Sequence, residues 1–262
     1  MTLSAPVPGH VSVFRDGDVA RLTLDRSHRH NSLVPELVEA LRRELARLAA
    51  DPPRVLVLAG AGRSFSTGGD VAGFADTPRG ARAAYAERLV GGLHAAILDL
   101  VDLPCPVIAR LHGPVTGGSV GLVLACDLVA MSRTAFLAPY YATVGFTPDG
   151  GWTALMEPRI GASATTEILM LDRRIEAEEA LARGLAQAIE DPQALDERIA
   201  GWVARLTALS PASLAATKRL LWSEARRADL ARRLDDEQAR FVATIASEAT
   251  ETTMSAFLGR TA

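Results

Sequence analysis

The sequence predicts an α/β fold, and three observations support this class. Short apolar runs that suit strands alternate with segments whose apolar residues recur at helical spacing. One run, residues 55–58, is continuously apolar, as strands buried on both faces are, and residues 107–111 are expected to form another buried strand. After about Asp191 the strand pattern stops and only helical patterns follow. We therefore expect an α/β body followed by a helical tail.

Local signals predict the elements of the body in chain order. The turn Asp16-Gly17-Asp18 separates strands predicted at 11–14 and 19–24, which is a hairpin signal. A helix follows because apolar residues recur at helical spacing, with Pro35 acceptable in its first turn. The remaining predictions are a strand at 55–58, an alanine-rich helix at 79–100, a strand at 107–111, an apolar helix around 122–125 and a strand around 128–131.

The tail is predicted to form helices at 196–209, 211–225 and 229–246. In the last of these, one face carries Leu230, Leu234, Glu237 and Phe241, and Ile245 continues it. This amphipathic face must pack against something. The body of the same chain and another subunit are the two candidates.

Composition excludes several classes of protein. The chain has 262 residues and is 48% hydrophobic, enough for a substantial core in one or two domains. A net charge of -3 gives no basic surface for nucleic acid. Cys105 and Cys126 lack metal-ligand spacing, so we expect no metal site. Residues 1–10 lack a signal-peptide pattern, and no apolar run approaches the roughly 18 residues of a membrane helix. We expect a cytoplasmic protein without a membrane partner.

Glycine is concentrated in three segments between regular elements. These are Phe-Ser-Thr-Gly-Gly-Asp at 65–70, His-Gly-Pro-Val-Thr-Gly-Gly-Ser-Val-Gly at 112–121 and Gly-Phe-Thr-Pro-Asp-Gly-Gly at 145–151. Glycine allows a ligand to approach the main chain closely, although each segment taken singly also suits an ordinary turn. The second segment matches Gly-x-Ser-x-Gly, the pattern of a hydrolase nucleophile at Ser119. Every histidine precedes Ser119, and seven residues separate it from the preceding strand, so we do not expect a catalytic triad.

In this order, the three segments resemble those of the crotonase superfamily, the enoyl-CoA hydratase/isomerase family. Further matches are Asn31-Ser32-Leu33, Pro158-Arg159-Ile160-Gly161 and Ser210-Pro211-Ala212, so the resemblance covers nearly the whole chain. It implies a crotonase-like spiral of ββα units over residues 1–200. It also implies a helical oligomerisation region over 201–262 that packs between the subunits of a homotrimer or a dimer of trimers.

The resemblance also implies the catalytic groups. The backbone N–H groups of Gly69 and Gly118 would form an oxyanion hole for a thioester enolate. Hydratases of the family carry two glutamates, at positions that correspond here to Gly121 and to either Tyr140 or Tyr141. Neither position supplies a carboxylate, so hydration is disfavoured.

Asp149 remains, where several isomerases of the family carry their acid/base aspartate. The pattern Pro-Asp-Gly-Gly equally suits a turn residue or a helix N-cap, and the two roles are compatible. If Phe146, Tyr141 and Trp152 shield the carboxyl, its pKa is raised towards neutral.

Substrate-binding assignments follow from the same resemblance. We expect Arg29 to meet the phosphates of coenzyme A, with Lys218 as second choice, while a solvated basic loop remains the alternative for Arg29. The remaining assignments are Ser66, Thr67, Gly68, Asp70, Tyr140 and Tyr141, with Asp70 also expected to hold its loop in place.

The function expected is that of an enoyl-CoA isomerase with no cofactor beyond its acyl-CoA thioester substrate. Hydration, thioester hydrolysis and catalytically weak acyl-CoA binding are the alternatives.

Overall fold

A six-stranded sheet forms the centre of the body. In this computed structural model, which describes residues 10–260, the strands are β1 Val11–Asp16, β2 Val19–Leu24, β3 Val55–Gly60, β4 Val107–Leu111, β5 Val115–Thr116, β6 Leu128–Ser132, β7 Phe136–Ala138, β8 Ile175–Glu176 and β9 Ala188–Glu190. The main sheet has the order β1-β2-β3-β4-β6-β9, and β5, β7 and β8 form a smaller sheet. β1 and β2 are the predicted antiparallel hairpin, and all other neighbours in the main sheet are parallel.

Helices cover the sheet and form the tail. The α-helices are α1 Pro35–Ala50, α2 Val71–Asp76, α3 Arg82–Asp102, α4 Ser119–Leu124, α5 Tyr141–Val144, α6 Glu157–Ile160, α7 Ala162–Met170, α8 Ala177–Ala182, α9 Leu195–Thr207, α10 Pro211–Leu221, α11 Glu224–Thr244 and α12 Glu248–Phe257. Short 3-10 helices span Ser27–Arg29 and Arg79–Ala81, and a π-helix spans Trp152–Met156. The α/β class and the helical tail are confirmed. Among residues 10–260, no helix has the length and apolar character needed to cross a membrane.

Two adjacent parallel strands bring the first two glycine-rich segments together. β3 and β4 pair directly, so their carboxyl ends lie at the same edge of the sheet. The chain leaving β3 carries Gly69, and the chain leaving β4 carries Gly118. In open α/β sheets this edge is where ligands bind.

The tail packs on the body of its own chain. The apolar face of α11, which carries Leu230, Leu234 and Phe241, is buried with the main core cluster. Its main contacts are with α3 and the π-helix. Of the two candidates for covering this face, the body of the same chain is the one that the structure shows. Packing of the tail between subunits stays a prediction.

Two boundaries of the tail differ from prediction. The helix predicted over 211–225 ends at Leu221, and α11 begins at Glu224, because the Ser223 hydroxyl accepts a hydrogen bond from the N–H of Arg226 and caps the new helix. α12 was not predicted. The predicted regions 1–200 and 201–262 include residues 1–9 and 261–262, which lie outside the described residues. Most of residues 1–10, which we expect not to form a signal peptide, also lies outside them.

Candidate active site

A pocket of about 760 Å³ opens at the edge of the sheet where β3 and β4 end. It contains the predicted catalytic groups Gly69, Gly118 and Asp149 together. Much of its wall is apolar, including Phe74, Leu89, Val90, Leu93, Val144, Phe146, Phe241, Phe257 and Leu258. Such a wall suits an acyl chain, and it excludes water from the groups that it surrounds.

The two glycine loops are fixed to each other by backbone bonds. Residues Ser66 and Val115 form a parallel bridge, and the N–H of Thr116 donates to the carbonyl of Ser66 over 3.0 Å. Gly68 has φ of +75°, and a Cβ there would lie 2.7 Å from the carbonyl oxygen of Thr116, so the close approach of the loops requires glycine.

Within the described residues, no acceptor in the protein takes the backbone N–H of Gly69 or Gly118. Both residues line the pocket, and Gly118 directly precedes α4, whose positive N-terminal end adds to its N–H dipole. Two backbone N–H groups without a protein acceptor on the wall of one pocket are the donors that an oxyanion hole would use. Ser119 is not available as a nucleophile, because it is fully buried and its hydroxyl donates to backbone carbonyls, the nearer being that of Thr116 at 2.7 Å.

Asp149 lies beside the Gly118 end of this hole. A Cβ on Gly118 would lie 2.9 Å from Asp149 Oδ1, which shows how closely the carboxyl approaches that backbone. The hydroxyl of Tyr141 donates to the same Oδ1 over 2.5 Å. Burial raises the pKa of Asp149 to about 7; the Tyr141 hydrogen bond opposes this shift and the charge of Glu237 adds to it. The carboxyl is therefore poised to exchange a proton near neutral pH.

Asp149 does not cap the helix that follows it. Its side chain bonds Tyr141, and the N–H groups at the start of the π-helix are taken by Glu237 instead. Trp152, predicted to shield Asp149, packs its ring edge-on to that of Tyr141 and donates from Nε1 to the carbonyl of Gly117.

Position 121 has no room for a side chain. A Cβ on Gly121 would overlap the carbonyl oxygen of Gly150 and would lie 2.6 Å from Ile97 Cδ1. The position at which hydratases of the resembled family carry their first glutamate is thus closed by the loop that follows Asp149.

The two tyrosines considered for the second glutamate have different environments. Tyr141 is buried against Asp149, whereas Tyr140 lies at the pocket wall with a left-handed φ of 57°. The Tyr140 hydroxyl accepts a hydrogen bond from Arg174 Nε over 2.7 Å, and the guanidinium of Arg174 stacks on Phe136. Arg174 and Phe136 also line the pocket, and no local sequence pattern indicated them.

Asp70 holds the mouth of the pocket together. Its carboxylate pairs with Arg26 at 2.9 Å and with Arg29 at 3.3 Å. Burial raises the pKa of Asp70, but the bonds and charges of the two arginines outweigh this and hold it below its usual value. Arg29 keeps about half of its side chain exposed, so it remains accessible to an anionic ligand.

The other predicted substrate-binding residues divide into two groups. Thr67 lines the pocket, whereas Ser66 is buried behind it, where its hydroxyl donates to the carbonyl of Asn31. Gly68, which follows Thr67, shapes the loop where it approaches Thr116. Lys218 is not brought to the pocket: its buried ammonium donates to two backbone carbonyls and pairs with Asp127 at 2.9 Å. Lys218 therefore stabilises the packing of the tail on the body, and the expectation that it binds coenzyme A is wrong.

Comparisons with known proteins agree with this arrangement. Residues 15–262 match the family model described as enoyl-CoA hydratase/isomerase. A protein of Mycobacterium bovis named "Probable enoyl-CoA hydratase echA12" is 36% identical over 212 residues, which cover 79% of this chain and 74% of that protein. The crystal structure of an enoyl-CoA hydratase/isomerase from Mycobacterium paratuberculosis has a TM-score of 0.86 at 28% identity, covering 95% of this chain and 98% of the other.

Another solved structure, Pseudomonas aeruginosa OdaA, has a TM-score of 0.83 at 29% identity and covers 95% of this chain and 99% of its own. These matches, together with the fold and the paired glycine loops, confirm the crotonase-like fold and the resemblance read from the sequence. The chain belongs to the enoyl-CoA hydratase/isomerase family and is an acyl-CoA enzyme of that superfamily.

Proposed function

We propose that the protein is an enoyl-CoA isomerase, which moves a carbon–carbon double bond by way of a thioester enolate. The observation that carries the proposal is Asp149, a buried carboxyl with a pKa of about 7 beside the backbone of Gly118. Asp70 also lines the pocket but is neutralised by two arginines. Asp149 is thus the pocket carboxyl, within the described residues, that is free of an arginine partner.

The proposed reaction needs one proton carrier. The Asp149 carboxylate takes the α-proton of a 3-enoyl thioester, and the electron pair moves onto the carbonyl oxygen. The N–H groups of Gly69 and Gly118 stabilise this oxyanion, and one such donor is typically worth about 3–4 kcal/mol. The electron pair then returns through the double bond, and Asp149 delivers the same proton to the γ-carbon. Since the proton is conserved, the reaction as proposed uses no water and no cofactor.

Hydration is the second candidate, because relatives such as the Mycobacterium bovis protein are named as hydratases. The closed position at Gly121 and the tyrosines at 140 and 141 oppose it, since none of them supplies a carboxylate to activate water.

Incubation with 3-enoyl-CoA and 2-enoyl-CoA thioesters, followed by absorbance and mass spectrometry, separates the candidates. An isomerase keeps the mass and creates the absorbance of a conjugated thioester. A hydratase adds the mass of one water, a hydrolase releases free coenzyme A, and a binding protein changes nothing. Any of the last three outcomes would overturn the proposal.

A homotrimer or a dimer of trimers remains our proposal for the assembly. Support comes from Leu220 and Leu221 of α10, which are 82% and 61% exposed in the single chain. Adjacent exposed leucines are typical of a surface that another subunit covers.

A further inference from the structure

Glu237 is a buried carboxylate in the otherwise apolar face of α11. Its side chain is only 3% exposed. Its oxygens accept four hydrogen bonds from the segment that follows Asp149: from the N–H of Gly151 at 2.7 Å, the N–H of Thr153 at 2.8 Å, the hydroxyl of Thr153 at 2.6 Å and the N–H of Ala154 at 3.0 Å. Burial raises the pKa of Glu237, and these hydrogen bonds oppose that shift, because donors around a carboxyl favour its ionised form.

These donors are the ones that a helix cannot satisfy by itself. The first N–H groups of any helix lack partners within it, and buried N–H groups left unpaired are costly. The π-helix at Trp152–Met156 begins directly after the Asp149 loop, and Glu237 supplies its N-terminal acceptor from a different part of the chain. The negative charge also suits the positive end of the helix.

His94 of α3 completes the support of the loop. Its Nε2 accepts the N–H of Gly150 over 3.1 Å and lies 3.9 Å from Glu237 Oε2. Burial lowers the pKa of His94 to about 4, so the ring is neutral and can accept this bond at physiological pH. The consecutive N–H groups of Gly150 and Gly151 are thus held by side chains from two different helices.

The supported loop is in direct contact with the oxyanion glycine. A Cβ on Gly150 would lie 2.5 Å from the carbonyl oxygen of Gly118, so the two backbones touch. Any displacement of residues 150–151 changes the distance between the carboxyl of Asp149 and the N–H of Gly118.

We propose that Glu237 is a positioning residue, which clamps the loop carrying the proton carrier against the oxyanion hole and so makes helix α11 of the tail part of the active-site machinery. The proposal rests on the proposed function in one respect, the role of Asp149 as the base. The clamp itself rests only on the four hydrogen bonds.

The charge of Glu237 affects the pKa of Asp149, which a purely structural support would not do. The groups that act on Asp149 are Tyr141 of α5, which donates to it, and Glu237 of α11, whereas neutral His94 of α3 bonds the N–H of the next residue, Gly150. Of these, Glu237 raises the pKa of Asp149 by its charge. Glu237→Gln removes the charge and keeps the shape, so the acid limb of the kcat profile should move to lower pH.

The experiment compares Glu237→Gln and Glu237→Ala with Asp236→Asn, a control that removes an exposed carboxylate from the same helix. Amide hydrogen exchange of Gly151, Thr153 and Ala154 should accelerate in the alanine variant and stay unchanged in the control. A displacement of about 1 Å at a reacting group costs about 100-fold in rate, so kcat of the alanine variant should fall by that order with KM within a few-fold. Circular dichroism verifies the fold, and the glutamine variant keeps the test decisive if the alanine variant does not fold.

The outcomes separate the two proposals. If exchange accelerates, kcat falls and the acid limb moves in Glu237→Gln, the positioning role holds. Unchanged exchange overturns the clamp whether or not the enzyme is an isomerase. Accelerated exchange with an unmoved acid limb and unaltered kcat reduces Glu237 to a structural support and overturns the positioning role. If the wild-type protein does not isomerise enoyl thioesters, the proposed function fails, and hydrogen exchange still decides the clamp.

Discussion

At the scale of single residues, the protonation of Asp149 should control the rate. Asp149→Asn keeps the shape of the side chain and removes the base, and since base catalysis contributes about 100- to 10,000-fold, kcat should fall by that order. Because the pKa of the carboxyl is raised to about 7 and the base must be ionised, the rate of the wild-type enzyme should fall as the pH drops below neutral. Steady-state kinetics between pH 5 and pH 9 measures both effects. Near-full activity in the asparagine variant would remove Asp149 as the base and make Tyr140 the next candidate.

Arg29 is the second residue whose role can be measured alone. Its half-exposed guanidinium at the pocket mouth should meet a phosphate of coenzyme A, so Arg29→Ala should weaken thioester binding and reduce its dependence on salt. Calorimetric titration at two ionic strengths gives both quantities. Arg47→Ala serves as the control, since Arg47 is an exposed arginine on α1 that does not line the pocket. Equal affinity and salt dependence in the two variants would show that Arg29 belongs to a solvated loop only.

At the scale of elements, the two oxyanion loops should behave as one unit. Gly68→Ala places a Cβ at a left-handed backbone position and 2.7 Å from the carbonyl oxygen of Thr116, so the loops must separate. We expect a loss of about 1–3 kcal/mol in the free energy of unfolding, together with a lower kcat. Gly80→Ala is the matched control, because a Cβ there meets nothing within 4 Å. Urea unfolding and kinetics on both variants test the point, and equal behaviour would mean that the loops are independent.

The elements that sequence reasoning found are those with a strong local signal. The continuous apolar run at β3, the largely apolar strand β4 and the helical spacing of α1 and α3 are set by burial, which leaves a pattern along the chain. β5 and β8 have two residues each, too few to show any period, and they exist because distant segments pair with them. The break between α10 and α11 depends on one serine cap.

The residues of the candidate site could be predicted from the sequence where the backbone requires glycine. Gly69, Gly118 and Asp149 lie in segments whose glycine content marks them, and the fold brings them into one pocket. Arg174 lines the pocket directly before the two-residue strand β8, and no local sequence pattern marks it. Glu237 was visible as a carboxylate in an apolar face, but its acceptor role depends on a π-helix whose residue Thr153 lies 84 residues earlier in the chain.

At the scale of the whole molecule, the exposed leucines of α10 bear on the assembly. Light scattering should give three or six times the chain mass of 27.8 kDa. Replacing Leu220 and Leu221 together by glutamate should lower this mass, because charge on a buried subunit contact is costly. A monomeric wild-type protein would contradict this proposal. It would mean that the helical tail packs only on the body of its own chain, through the buried face of α11.

The contact between Gly121 and the carbonyl of Gly150 restricts how this enzyme can change its chemistry. A glutamate at position 121 would have to displace the loop that carries Asp149. If Asp149 is the proton carrier, as we propose, installing the first hydratase carboxylate would disable it before a second carboxylate is in place. On the proposed function, a lineage moving from proton transfer to water addition would therefore pass through an inactive protein at the first substitution. In laboratory evolution, single-codon libraries at this position should yield no hydratase, and only libraries that vary position 121 and residues 149–151 together can cross between the two activities.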